Sequence, residues 1–330
     1  MKLPSNSRMS SALGLVLLMI SVCGCQDQAA IESENAQSQK ESSSKDSQGI
    51  SSAKAFEHMK KMVEFGPRPS GSPAIKKTQD YIKSELTSYG LKVTEDDFVG
   101  ETPKGKIPMK NIIAEVPGAA GDIVMISGHY DTKLMPGFDG ANDGASSAAA
   151  VLEMARVLAK TKPDYTVWLV FFDGEEAVVE WTGDDNTYGS RHLASKLTAD
   201  NRIKQIKSML LVDMIGDSKL DLMKDLDSTT WLVDLVWKTA ERTGTGKYFL
   251  GNESGYSDDH IAFKTAGVPV VDIIDFNYGP GNSYWHTTQD TIDKVSGDSV
   301  KAVCDTVLNT LPQLFKLLKS GLPRETRIPN

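Results

Sequence analysis

The stretch Thr166–Glu176, TVWLVFFDGEE, is an apolar run that stops abruptly in acids. Val167 to Phe172 carry no charge and mix β-branched with aromatic residues, which reads as a strand buried on both faces. Directly after it come Asp173, Glu175 and Glu176. Carboxylates at the end of a buried strand are costly unless something positive holds them. This one stretch therefore decides the fold class and poses the functional question.

Other segments repeat the pattern. IVMIS (123–127), SMLLVDMIG (208–216) and GVPVVDII (267–274) read as further buried strands, and LKVTEDDF (91–98) and MKNIIAEV (109–116) also read as strands. Between them lie helical periodicities. AKAFEHMKKMVEF (53–65) stops at Gly66-Pro67, and SPAIKKTQDYIKSELTSYG (72–90) closes on Gly90. GASSAAAVLEMARVLAK (144–160) packs closely through small residues; TTWLVDLVWKTAERTG (229–244) and SGDSVKAVCDTVLNTLPQLFKLL (296–318) are amphipathic. Buried strands alternating with helices predict one α/β domain: a mixed, mostly parallel sheet covered on both faces, with no internal repeat.

The ends of the chain differ from this body. Lys2 and Arg8 precede the short apolar run Ala12–Val22, and the run ends in VCGC at Cys25. Such a segment is an export signal, too short to span a bilayer comfortably. Val22 and Gly24 ahead of Cys25 resemble a bacterial lipoprotein cleavage box, which implies a signal peptide over 1–24 and lipid attachment at Cys25. An ordinary secretory signal cut nearby is the alternative, and either leaves the protein exported. Residues 25–52 are rich in Ser, Gln, Glu and Lys and read as a disordered tether. A catalytic domain is expected over 53–320 and a short tail over 321–330. Cys304 has no partner cysteine in this body and reads as a buried core thiol.

The formal net charge is −8 across 330 residues, which argues against a nucleic-acid partner. No GxSxG, Walker-type loop, HExxH or CxxC pattern occurs, so serine hydrolase, nucleotide and thiol-redox chemistry lack support.

The acids and histidines instead collect after strands. His129 and Asp131 follow IVMIS, Glu175 and Glu176 follow TVWLVFF, Asp213 ends SMLLVD, and His286 sits in the loop after GVPVVDII. Asp143 stands where a loop enters a helix. In open α/β sheets, ligands bind outside the carboxyl ends of the strands. Singly, each residue has a plain structural use: Asp143 as a helix cap, the histidines as hydrogen-bonded loop residues, Glu175 and Glu176 as a solvated acidic step. Together they suggest a cation site such as Zn²⁺, which accepts imidazole nitrogen and carboxylate oxygen. One glutamate of the pair can bind metal while its neighbour stays free for proton transfer. His58 is expected to be exposed on the first helix, His192 to buttress helix packing, and His260 to bond a neighbour.

In order along the chain, GHYDT, NDGASS, FFDGEE, LLVDMIG and WHTTQDT resemble the zinc aminopeptidase-like superfamily, which includes the animal-type glutaminyl-peptide cyclotransferases. The segment AVVEWTGDDNTYGSRHLA after Glu176, together with SDDHIAF and the Trp285-His286 pair, resembles the cyclotransferase branch. The resemblance implies one zinc held by Asp143, Glu176 and His286, with Glu175 as general acid/base. It implies a carboxylate network of Asp213 and Asp258 around Glu175, and a substrate pocket lined by Trp181 and Trp285. His129 and Asp131 match positions kept in single-zinc members; in two-metal aminopeptidases, His129 and Asp213 would bind a second zinc, with Asp143 bridging. Asp272 departs from the pattern, standing where animal cyclotransferases tend to carry His.

The expected reaction is cyclisation of an N-terminal glutamine of a peptide or protein to pyroglutamate, with release of ammonia. A zinc aminopeptidase with one or two metals is the alternative, and an inactive metallopeptidase-fold lipoprotein that only binds is a third. The expected partners are peptide N-termini and, through the anchor, a membrane. Oligomeric state is not legible.

Overall fold

The structure, a computed structural model, describes residues 49–321. The signal peptide, Cys25, the tether up to residue 48 and the tail from 322 lie outside the described residues. The compact unit starts at Gly49, ahead of the boundary expected at 53. Ile50 is already buried, and the Ser51 side chain accepts the Lys54 N–H to cap the first helix.

Strands β1 (Lys92–Thr102), β2 (Gly105–Val116), β3 (Ala120–His129), β4 (Tyr165–Phe172), β5 (Ile206–Asp213) and β8 (Val270–Ile274) form one sheet in the order β1-β2-β4-β3-β5-β8. The first two pairings, β1 with β2 and β2 with β4, are antiparallel; β3 with β4, β3 with β5 and β5 with β8 are parallel. The helices are α1 (Ser52–Val63), α2 (Pro73–Ser88), α3 (Ala145–Leu158), α4 (Tyr188–Ala199), α5 (Thr230–Thr243), α6 (His260–Thr265) and α7 (Gly297–Ser320).

The opening stretch became β4, inside the sheet, and its alternate residues serve two different cores. Val167, Leu169 and Phe171 pack with residues of α1, α2, α3, α5 and α7. Trp168, Val170 and Phe172 pack with Leu193, Ala194 and Leu197 of α4 and Phe263 of α6. Because successive strand residues face opposite ways, burial on both faces requires the unbroken apolar run seen in the sequence. Helix α3 lies against the sheet through Ala148, Ala149 and Ala150, all fully buried. Cys304 is a buried, free thiol within the larger core, as expected.

Two features were not legible in the sequence. Short strands β6 (Leu222–Asp225) and β7 (Phe249–Ser254) pair in parallel as a separate two-stranded sheet. They are too short and too polar to show a period. His58, expected to be exposed, is buried: its ring meets Tyr81 on α2, and Nε2 lies 3.8 Å from Glu153 on α3. Helical spacing placed it on the wrong side of the apolar stripe, because the neighbouring helix supplies a polar lining that the sequence of α1 does not reveal.

Candidate metal centre and catalytic pocket

Every sequence-predicted acid and histidine lies at the carboxyl-terminal edge of the parallel strands. His129 ends β3, Asp213 ends β5, and Glu175 and Glu176 follow β4 by a turn at Gly174, whose φ is +71°. Asp143 does not cap α3. The N-cap is Gly144, at φ +93°, and a Cβ there would stand 2.3 Å from the Asp131 carbonyl oxygen. With the chain turned so tightly, the Asp143 carboxylate is free to enter the site.

One trio converges. His286 Nε2 lies 3.3 Å from Asp143 Oδ2 and 3.2 Å from Glu176 Oε1, and the potential ligand atoms of Asp143, Glu176 and His286 all lie within 4.8 Å of one another. Both oxygens of Glu176 are buried, yet neither receives a well-aligned hydrogen bond. Oε1 faces His286 and Oε2 lies 3.6 Å from Lys133 Nζ, so a cation shared with Asp143 and His286 would complete the coordination of a buried carboxylate that lacks a well-aligned bond. The donor set, one imidazole nitrogen and two carboxylates, is one that zinc accepts while keeping a position open. Burial pulls the His286 imidazole down, but Asp143 and Glu176 outweigh it and lift it to about 9. For Asp143, burial raises the carboxyl, but His129 and His286 overcome it and hold the group ionised.

A second trio sits beside the first and shares Asp143. His129 Nε2 lies 3.0 Å from Asp213 Oδ1 and 3.3 Å from Asp143 Oδ1. Asp213 is heavily committed: its Oδ1 also accepts the Ser147 hydroxyl at 3.0 Å and the Met214 N–H at 2.8 Å. The bond from His129 thus closes a network that needs no ion.

Glu175 points away from its neighbour. Its Oε2 lies 3.8 Å from His129 Nδ1. Burial raises its carboxyl well above the usual range; His129 opposes this, while Asp258, Glu176 and Asp213 add to it. Asp258 is itself raised by burial and by Asp213 and Asp259. The pair at the end of β4 is therefore split between two environments, Glu176 with Asp143 and His286, and Glu175 with His129 and a group of buried acids.

Three further residues hold this arrangement; of them the sequence reading names only Asp131, as a residue that holds a second metal or supports the first. Asp131 Oδ1 and Oδ2 accept the N–H groups of Glu175 and Glu176 at 3.1 and 3.3 Å. Asp290 accepts the N–H groups of Asn142 and Asp143 at 2.8 and 3.0 Å, and the Tyr278 hydroxyl donates to it. Arg68 is wholly buried and donates to the carbonyls of Tyr130, Asp139 and Gly140, tying the loop that carries Asp131 to the one that carries Asp143. Only the proline-glycine punctuation around Arg68 and the short step from His286 to Asp290 hinted at these supports.

A cavity of about 440 Å³ is lined by Asp143 and His286 of the trio, and by Glu175. Trp181 and Trp285 line it, with Tyr256, Phe276 and Ile274. Trp285 stacks on His286 at 4.0 Å between ring centres and meets Phe276 at 4.7 Å. Trp181 is more exposed and rides on a loop that Asp185 pins by accepting the N–H groups of Val178, Val179 and Glu180. His192 stacks on Phe98 at 4.4 Å, away from this pocket, in the buttressing place expected of it.

Comparison with known proteins agrees with this geometry. The model of peptidase family M28 matches residues 111–311. The glutaminyl-peptide cyclotransferase of Drosophila melanogaster is 31% identical over 269 residues, covering 72% of this chain and 75% of that protein. The crystal structure of an Acidobacteriales bacterium glutaminyl cyclase superposes with a TM-score of 0.78 at 36% identity, over 81% of this chain and 96% of that one. A Zn-dependent exopeptidase from Parabacteroides distasonis superposes at 0.72 with 28% identity, over 80% of this chain and 98% of that one. The chain belongs to peptidase family M28 and, within it, to the glutaminyl-peptide cyclotransferase family.

Proposed function

We propose that the protein is a zinc-dependent glutaminyl-peptide cyclotransferase that converts the N-terminal glutamine of peptides or proteins to pyroglutamate and ammonia. The observation that carries this reading is the division at the end of β4: Glu176 joins Asp143 and His286, while Glu175 lies beside His129 among Asp258 and Asp213. Asp143, Glu176 and His286 would hold the zinc. Bound there, it supplies Lewis-acid polarisation of the substrate's γ-carbonyl.

The chain's own residues account for the rest. The nucleophile and electrophile belong to one substrate residue, so the first task is to fold its side chain back on its own amine. The aromatic wall of Trp285, Phe276 and Tyr256 suits a short, neutral side chain and keeps water from competing. As the α-nitrogen bonds to the δ-carbon, Glu175 accepts a proton from that nitrogen. It then delivers the proton to the departing amide nitrogen, which leaves as ammonia when the carbon–nitrogen bond breaks. A carboxyl raised by burial and flanking acids is matched to taking and returning a proton near neutrality.

The rival is an aminopeptidase with two metals, which would require the second trio, His129, Asp143 and Asp213, to hold an ion as well. A single experiment separates the two. Zinc-loaded protein is incubated with a glutamine-initiated peptide and the products are weighed by mass spectrometry. Loss of one ammonia with every residue retained supports the cyclotransferase; release of free glutamine replaces it with the peptidase. An unchanged peptide with zinc bound favours a binding protein. Export and lipid anchoring at Cys25 belong to the same proposal, and the mass of the mature N-terminal peptide, with and without C25A, tests them.

A further inference from the structure

Behind the pocket wall lies a group of buried polar residues that the proposed reaction does not use. Asp225 ends β6, His260 opens α6 and Asp272 lies within β8; His260 and Asp272 have no solvent exposure at all. The imidazole stands between the two acids, with Nε2 3.2 Å from Asp225 Oδ2 and Nδ1 3.7 Å from Asp272 Oδ2. Neither nitrogen of His260 and neither oxygen of Asp272 has a hydrogen-bond partner of ordinary geometry. Unpaired groups so deeply buried require a purpose.

A cation site and a hydrogen-bond chain compete for this trio, and Asp225 decides between them. Its Oδ1 accepts the N–H groups of Asp227 and Tyr256 at 3.0 Å each, and its Oδ2 accepts the Ser228 hydroxyl at 2.6 Å. A carboxylate used so fully has little left for a cation, in contrast to Glu176. The two acids also face different ring nitrogens, which suits a chain running through the imidazole. Burial raises the Asp272 carboxyl well above its usual range, with Asp258 and Asp225 adding to the effect, which suits it to the donor's place. Burial would raise Asp225 too, but His260 and Ser228 overcome that and leave it an ionised acceptor.

The trio leads back to the site. His260 follows Asp258 by two residues, so the ring that stands between Asp225 and Asp272 is anchored in the same segment as the acid beside the pocket. Asp225 also grips the N–H of Tyr256, and Tyr256 to Asp258 form one wall of the pocket. The Ser228 hydroxyl that donates to Asp225 accepts the N–H of Asp272 at 2.8 Å, closing the circuit.

We propose that Asp272, His260 and Asp225 form one buried hydrogen-bond chain, Asp272 donating to Nδ1 and Nε2–H donating to Asp225, through which His260 acts as a positioning residue for Asp258 in the reaction proposed above. Both ring contacts lie outside ordinary hydrogen-bond geometry, and a shift of well under an ångström closes them.

The test uses the full-length, zinc-loaded protein and two kinds of readout. The ¹⁵N spectrum of His260 reports its tautomer whether or not the protein is a cyclotransferase. A ring protonated at Nε2 alone supports the chain, and a proton at Nδ1 overturns it. In steady-state ammonia release, H260F lowers kcat about 10- to 100-fold with KM within about threefold, and H260Q, which can still donate to Asp225, recovers part of the loss. D272A gives a similar drop in kcat, and H260F/D272A falls no further than the worse single variant, as members of one chain must behave. Losses that multiply in the double variant, or kcat unchanged in H260F, overturn the proposal. So does a second equivalent of bound metal that D272A removes. Should H260F fail to fold, D272A and the tautomer decide. Wild-type protein that releases no ammonia defeats the functional reading, while the tautomer still answers for the chain.

Discussion

Asp131 Oδ1 accepts the backbone N–H of Glu175 at 3.1 Å, so the carboxylate at the end of β3 fixes the main chain at the end of β4. Its other oxygen takes the N–H of Glu176. The two adjacent glutamates are thus aimed by one side chain from a neighbouring strand. D131N keeps the size but turns an amide group toward one of these N–H groups. Activity is expected to fall about 10- to 100-fold with the fold intact, as loss of a supporting group around a metal site typically does. Ammonia release and far-ultraviolet circular dichroism check this, and an unchanged rate would remove Asp131 from the mechanism.

Glu175 and Glu176 separate by chemistry. E176A is expected to lose bound zinc, because Glu176 brings a buried carboxylate without a well-aligned hydrogen bond to the trio. E175Q is expected to keep the metal and lose roughly 10²- to 10⁴-fold in kcat, the usual worth of general acid/base catalysis. Zinc content by atomic absorption beside the rate distinguishes them; equal metal loss in both would put Glu175 among the ligands.

The two tryptophans differ in depth. Trp181 lies at the exposed rim, while Trp285 stacks on His286. W181A is therefore expected to raise KM several-fold and spare kcat, the mark of a contact made equally before and during reaction. W285A is expected to raise KM and lower kcat together, since the imidazole loses its support.

Away from the metal, Asp275 gives a pH signature. Burial raises its carboxyl to about 6, with Asp217 and Asp221 adding to the shift. A carboxyl raised above its unfolded value stabilises fully below about pH 4, and that contribution is lost as pH rises through about 6. Denaturant unfolding should therefore show wild type losing stability relative to D275N with rising pH, by on the order of 3 kcal/mol at most between pH 4 and 7. Parallel curves would show that Asp275 titrates normally.

Gly144 tests the turn into α3. With φ at +93° and a Cβ 2.3 Å from the Asp131 carbonyl, G144A is expected to cost about 2 kcal/mol or more and to displace Asp143. Melting temperature and zinc content should fall together.

The sheet was legible because burial on both faces of β3, β4 and β5 leaves an unbroken apolar run that no surface strand tolerates. The acids stood out because they follow such runs directly. The supports did not. Asp131 and Asp290 act through backbone N–H groups far away in sequence, and the chain cannot announce which N–H groups will need an acceptor. Arg68 was hidden for the same reason, since its guanidinium serves three carbonyls and no acid by direct contact. His58 was misread because its partners, Tyr81 and Glu153, come from other helices.

The proposed ligands Asp143, Glu176 and His286 come from loops after three different strands, while the aromatic wall comes largely from the segments around Tyr256 and Trp285. In evolutionary terms this splits inheritance in two. No single stretch encodes the metal centre, so it cannot be acquired by exchange of one segment and must descend with the sheet. The wall, carried on connections that the sheet does not constrain, is free to change. One scaffold can thereby pass between cutting an N-terminal bond and closing a ring on it, keeping its charge constellation and rebuilding only the surface against which the substrate rests.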